Sequence, residues 1–207
     1  MTPFERTAPA WSLGVLAGGR SVRMGRDKAS APFRGGTLLD HVARRLAPPG
    51  VPLLVSLRPG TPDPPAPWRR VDDATPDLGP MAGIAALARA AETHFVLVVP
   101  CDLPLLPPDC GDRLLAFSKG VDAVTLRVGG RTEPFPALVA RELASTLEAA
   151  LREGLRRADG WHARVAAATA PFEVAFPGVD AAEALLNAND PATLADAARR
   201  LDRGAAR

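Results

Sequence analysis

Residues 80–104 read PMAGIAALARAAETHFVLVVPCDLP, and this stretch decides the fold. Pro80 stands where a helix tolerates proline best, in its first turn, because the missing N–H would have no partner there. The spacing predicts a helix from Pro80 to about Glu92. Phe95–Val99, FVLVV, is apolar throughout and rich in β-branched valine. A strand of that kind has no solvated face and belongs at the centre of a parallel sheet. Pro100-Cys101-Asp102-Leu103-Pro104 then sets a carboxylate just past the strand, between prolines. Ligands of such sheets sit beyond the C-terminal strand ends, so Asp102 is a candidate site residue. By residue type alone it would serve equally well as a loop cap.

The same alternation extends in both directions. Ser12–Leu16 reads as a buried strand that runs into a Gly-rich loop, Ala17–Asp27. Thr37 is a candidate N-cap for a helix to about Leu46, with Leu38, Leu39, Val42 and Leu46 on one face. Pro52–Leu57 is a second strand, and RPGTPDPPAP (58–67) is too proline-rich for regular structure. Val121–Arg127 and Phe135–Val139 are later strand candidates. Arg141–Gly154 and Pro191–Arg203 are predicted helices. Strand–helix alternation at this spacing means right-handed βαβ units and an α/β open sheet, mostly parallel and covered on both faces. No repeat or linker divides the chain, so one domain is expected over residues 1–207, with 1–10 as an N-terminal arm.

The 207 residues are 47% hydrophobic and 23% charged, with a net charge of +2. A chain of this length buries roughly 70% of its unfolded surface and needs no staples. The balance argues against nucleic acid as a partner of the whole surface, though not against a local basic pocket. Cys101 and Cys110 are the only two cysteines and make neither a disulfide framework nor a zinc site. No signal peptide or membrane-length apolar run is readable, so a cytoplasmic protein without membrane contact is expected. Only two of the 25 cations are lysines, Lys28 and Lys119, and the only asparagines are Asn187 and Asn189. The rarity of these AT-rich codons fits a high-GC genome. A surviving Lys or Asn is then a candidate for a position where Arg, Asp or Ser would not do.

The loop after the first strand, LAGGRSVRMGRDK (16–28), places Arg20, Arg23, Arg26 and Lys28 beside Gly18 and Gly19. Paired glycines let the backbone approach a ligand, and successive N–H groups can form an anion nest. The combination suits a nucleotide polyphosphate. It is neither a Walker A loop, which needs Gly-Lys-Ser/Thr, nor a dinucleotide fingerprint, whose glycine spacing differs.

This string resembles the signature of the molybdenum cofactor guanylyltransferase (MobA) family, the MobA-like nucleotidyltransferases. Gly19 and Asp27 stand on the guanylyl side, since the similar cytidylyltransferases often carry Ala and Asn there. The Cys-Asp-Leu-Pro run at 101–104 resembles the family's C-D-x-P motif. Val71-Asp72-Asp73 with Gly79-Pro80-Met81-Ala82-Gly83 resembles its acidic pair and helix start. Asn187-Ala188-Asn189-Asp190-Pro191 resembles its N-x-N motif. The resemblance runs from Leu13 to about Asp196, tightest over 13–29, 72–83 and 100–104. It implies a single Rossmann-like three-layer domain of the nucleotide-diphospho-sugar transferase kind.

What the resemblance implies about the site follows residue by residue. Leu16, Ala17, Gly18 and Gly19 would cradle GTP, Lys28 its phosphates, and Arg23 the leaving pyrophosphate. Asp73 matches a GTP contact, and Gly79 with Gly83 would let the helix start approach base or ribose. Ser56 stands where the family often has an Asn that contacts GTP. Asp102 would hold Mg²⁺. Asn189, in preference to Asn187, would approach the metal. Arg127, Arg131, Arg156 and Arg157 are candidates for an anionic molybdopterin acceptor. The implied reaction is GMP transfer from GTP to molybdopterin with release of pyrophosphate, and cofactor-handling proteins are implied partners. Two alternatives stay open at this point. One is a cytidylyltransferase, or another transferase for a small phosphorylated metabolite. The other is a non-catalytic nucleotide-binding module.

Overall fold

A computed structural model describes residues 9–17, 29–72, 79–156, 158 and 161–205. The first strand, β1 (Trp11–Leu16), is followed by a short hairpin, β2 (Pro32–Phe33) and β3 (Gly36–Thr37), and by helix α1 (Leu38–Leu46). Next come β4 (Leu53–Leu57), β5 (Arg69–Asp72), α2 (Pro80–Ala90), β6 (Phe95–Pro100) and α3 (Cys110–Leu115). The second half holds β7 (Ala123–Val128), β8 (Arg131–Ala140), α4 (Ala144–Arg152) and β9 (Ala167–Pro171). It closes with α5 (Phe172–Ala175), α6 (Ala181–Ala184) and α7 (Pro191–Ala205).

Among the described residues seven strands form one sheet in the order β5-β4-β1-β6-β8-β7-β9. Every neighbouring pair is parallel except the two that involve β8. The sheet is therefore mostly parallel, with β6 fully buried at its centre as its unbroken apolar run requires. The chain moves one way along the sheet through α1 and the other way through α2. Right-handed crossovers then put these helices on opposite faces. Packing agrees. A Cβ on Gly14 would sit 2.7 Å from Val96 Cγ2 and 3.1 Å from Leu87 of α2. Trp11, on the other face of the same strand, lies against Gly111 of α3, where a Cβ would be 2.3 Å from the indole. Both glycines are thus contact points at which a helix or a strand comes too close for a side chain.

Thr37 caps α1 as expected: Asp40 N–H donates to its hydroxyl at 3.1 Å, and the Asp40 carboxylate accepts from the Thr37 N–H in return. Several expectations need correction. The helix expected over 141–154 begins as a 3₁₀ turn, Arg141–Leu143, before α4. The strand expected over 135–139 is longer, reaching back to Arg131. Strands β5 and β9 and the short helices α3, α5 and α6 were not expected at all.

A main core fills both faces of the sheet, and a smaller cluster lies apart. The smaller one joins Ala31, Phe33 and Leu38 to Leu105, Ala188 and Leu194. It ties the exit of the Gly-rich loop, the segment after Asp102 and helix α7 into one unit.

Candidate active site

Three strand ends stand level. Leu16 is in register with Ser56 of β4 on one side and with Pro100 of β6 on the other. The ladder continues one step past the strands: Ala17 N–H donates to Ser56 O at 3.0 Å, and Cys101 N–H to Leu16 O at 3.2 Å. The Gly-rich loop and the Asp102 loop therefore leave the sheet side by side, Ala17 tied to β4 and Cys101 to β1.

Asp102 is half-buried, and its Oδ1 is shielded from solvent. Its carbonyl accepts the Ala188 N–H at 2.8 Å, which brings the Asn-Ala-Asn segment against the same loop. Ala188 is fully buried in the small core, whereas Asn187 is exposed and Asn189 half-buried. Alternation along an extended segment accounts for this: one methyl inward as an anchor, two amides elsewhere. Neither asparagine caps α7. Asp190 does, accepting the Thr193 N–H at 2.8 Å on its carboxylate.

Ser56 is buried, with a relative exposure of 1%. Gly79 takes φ 78 and ψ −172 immediately before α2. That is the region only glycine adopts readily. Its Cα lies on the backbone of Arg156, where a Cβ would be 2.6 Å from the carbonyl oxygen. The start of α2 and the segment after α4 are thus in direct backbone contact. Asp72 of the acidic pair is exposed and engaged by Arg70, whose Nε donates to it at 2.7 Å. The same guanidinium reaches Arg58 O at 2.9 Å and so holds the proline-rich loop to the end of β5.

At the far side of the strand ends, β7 and β8 run on as a hairpin, with Arg127 opposite Thr132 and Val128 opposite Arg131. The register shifts between Val124 and Leu126, and there β8 leaves β6. Arg127 and Arg131 are exposed on this projecting arm, and among the described residues neither has a carboxylate partner. Arg156 differs. Its guanidinium turns back onto the carbonyls of Leu151 and Leu155 and closes the end of α4. The expectations for Gly18, Gly19, Arg23, Lys28, Asp73 and Arg157 lie outside the described residues.

Cys101 and Cys110 are both buried and form no disulfide, and burial pushes the Cys110 thiol well above its usual range. Ala188 was missed by sequence reasoning. Its signal, an alanine between the chain's only asparagines, is legible only once the segment is known to lie against Asp102.

Residues 13–166 match the family model described as MobA-like NTP transferase domain. A molybdenum cofactor guanylyltransferase of Burkholderia orbicola is 37% identical over 203 residues, covering 90% of this chain and 94% of its own length. One from a Shewanella species is 33% identical over 182 residues, with 86% and 89% covered. Among solved structures, molybdopterin-guanine dinucleotide biosynthesis protein A from Archaeoglobus fulgidus superposes with a TM-score of 0.75 at 22% identity, covering 93% of this chain and 99% of that one. The 2-C-methyl-D-erythritol 4-phosphate cytidylyltransferase of Thermus thermophilus gives 0.65 at 20% identity, covering 91% and 98%. These two likenesses establish the shared nucleotidyltransferase fold.

Proposed function

We propose a mechanism from one premise: the chain belongs to the MobA-like NTP transferase family. It transfers GMP from GTP to molybdopterin and releases pyrophosphate, the activity named for its curated relatives. Those names favour guanylyl transfer over the cytidylyl and non-catalytic alternatives. The observation that supports the site assignment is the meeting of Ala17, where the Gly-rich loop begins, the Asp102 loop and the Asn187–Asn189 segment at one sheet end.

In this reading the backbone at Leu16, Ala17, Gly18 and Gly19 cradles the nucleotide. Asp73 and Gly79 lie toward its base and ribose, and Ser56 stays beneath them. Lys28 lies along the triphosphate, and Arg23 neutralises the pyrophosphate as it leaves. The donor set suits a hard divalent cation. Asp102 and Asn189 offer oxygen, and among the described residues no group of three His, Cys, Asp or Glu forms a complete cage. Mg²⁺ is typically held by one or two carboxylates and completes its shell with water and phosphate oxygens. Mg²⁺ at Asp102 would supply neutralisation of phosphate charge. Arg127 and Arg131, without carboxylate partners among the described residues, would draw in an anionic acceptor.

The acceptor's terminal phosphate attacks the α-phosphorus of GTP in line. That phosphate is ionised near neutral pH, so the protein contributes alignment and electrostatics and no general base. The test is a transfer assay on purified protein with molybdopterin, Mg²⁺ and either GTP or CTP. GTP is expected to be preferred by about tenfold or more in kcat/KM, and equal use of CTP would sink the guanine assignment.

Lys28 carries a second expectation. An ammonium is a compact charge with rotatable donors, and a guanidinium is a planar fork. Lys28→Arg should lower kcat/KM for GTP by about tenfold or more. Normal kinetics would show that any cation suffices there.

A further inference from the structure

We propose that a cavity between α1, α6, α7 and the segment 105–108 is a second anion site, separate from the nucleotide site, that binds an organic phosphomonoester. The cavity measures about 790 Å³ and is lined by Arg34, His41, Arg44, Arg45 and Arg200, the last already paired with Asp196 at 2.8 Å, with Glu183 as the one carboxylate among the described lining residues. None of Leu16, Ala17, Ser56, Gly79, Asp102 or Asn189 lines it.

His41, Arg44 and Arg45 share one face of α1 through i, i+3 and i+4 spacing. The Arg45 guanidinium is fixed by carbonyls: Nε donates to Leu106 O at 2.5 Å and Nη2 to Leu105 O at 3.4 Å. Among the described residues neither Arg44 nor Arg45 has a carboxylate within ion-pair distance; the Arg44 guanidinium stands over Gly36 on the same side as the Asp40 carboxylate, and Arg45 is held by carbonyls alone. Arg34 adds a third guanidinium from the hairpin turn. It is the only non-glycine described with a positive φ, 47°. Glycine, asparagine or aspartate would hold that turn with less strain. The chain uses an arginine, which pairs with Asp202 at 3.0 Å and still lines the cavity.

The surrounding groups register the resulting field. Burial, and then Arg45, Arg34 and Arg44, push His41 below its ordinary range, against the raising effect of its bond to Pro104 O. Burial and Arg34 likewise lower Arg45.

Guanidinium forks match phosphate oxygens in pairs. The volume falls within the roughly 300–1,000 Å³ typical of small-molecule sites, more than a bare phosphate needs. Leu105, Pro107 and Val179 supply an apolar wall for an organic body. Val179 is one of two large apolar side chains left exposed among the described residues, at 41%.

The experiment is a titration of the full chain, labelled at Leu and Val methyls, with phenyl phosphate and separately with inorganic phosphate, followed by NMR. Saturable shifts are expected at Leu105, Val179 and Leu201, with phenyl phosphate binding about tenfold tighter than phosphate. They should persist in Lys28→Ala, which disables the nucleotide loop. They should weaken about tenfold or more in Arg44→Glu, a change at an exposed position that leaves the remaining methyl spectrum intact. Equal affinity for the two probes overturns the organic occupant. Absence of saturation, indifference to Arg44→Glu, or loss of the shifts in Lys28→Ala overturns the site.

Discussion

The Asp102→Ala variant should fold like the parent chain and lose guanylyl transfer. Removing one pre-organised electrostatic group from a phosphoryl-type transition state costs about 10²–10³ in kcat. A carboxylate that also holds Mg²⁺ should sit at or above the top of that range. The fold survives because backbone atoms hold the loop. Cys101 N–H to Leu16 O and Ala188 N–H to Asp102 O both persist when the side chain is cut to a methyl. Thermal unfolding should therefore stay within about 0.5 kcal/mol of the parent, as for other substitutions that break no packing. GTP-dependent pyrophosphate release and transfer to molybdopterin are the readouts. An Asp102→Ala protein with full activity would remove Asp102 from the metal site.

Gly79→Ala should damage stability and nucleotide binding together. Its φ of 78 and ψ of −172 lie where a side chain is strained, at a cost of about 1–3 kcal/mol. The new methyl would also meet the Arg156 carbonyl oxygen at 2.6 Å. Two stretches of backbone must then part, which is harder than turning a side chain aside. We expect a fall in unfolding free energy of at least that strain and a rise in KM for GTP of roughly tenfold. Arg156→Ala is the control. It keeps the carbonyl that Gly79 touches and should leave KM for GTP near the parent value. An unchanged melting curve and KM in Gly79→Ala would refute the contact's importance.

The parts of the fold that sequence could reveal are those whose local pattern matches their environment. FVLVV is buried on both faces, so its lack of alternation gives it away. Thr37 and Asp40 announce a helix start because capping involves only near neighbours. Strand β5, RRVD, carries no such pattern. It is an edge strand with two arginines, held by one ladder to β4 and by the ion pairs of Arg69 with Glu92 and of Arg70 with Asp63. Strand β9, AATAP, is alanine-rich and among the described residues pairs only with β7, so composition says little about it. The four-residue helices α5 and α6 are too short for any period to show.

The site divides the same way. That Leu16, Ser56 and Asp102 stand at or just past strand ends was legible, because buried apolar runs mark where parallel strands stop. The approach of Ala188 to Asp102 and of Gly79 to Arg156 was not legible. Each joins residues distant in sequence through backbone atoms, which any residue type supplies. The cationic cavity was hidden for a related reason. Its arginines come from a hairpin turn, α1 and α7, in a chain where arginine is common everywhere.

The bond from Ala188 to Asp102 also sets an order of events in time. During synthesis the β6 strand and its carboxylate emerge first, and the segment that fastens them follows 86 residues later. At about 5–20 residues per second, the interval is on the order of several seconds. Over that interval a nascent chain can lay down β5-β4-β1-β6 yet lacks the clasp on its Asp102 loop. If Asp102 holds Mg²⁺ as proposed, competence to hold it thus waits for that clasp, and a ribosome-bound fragment that ends before Ala188 should be a poor trap for GTP.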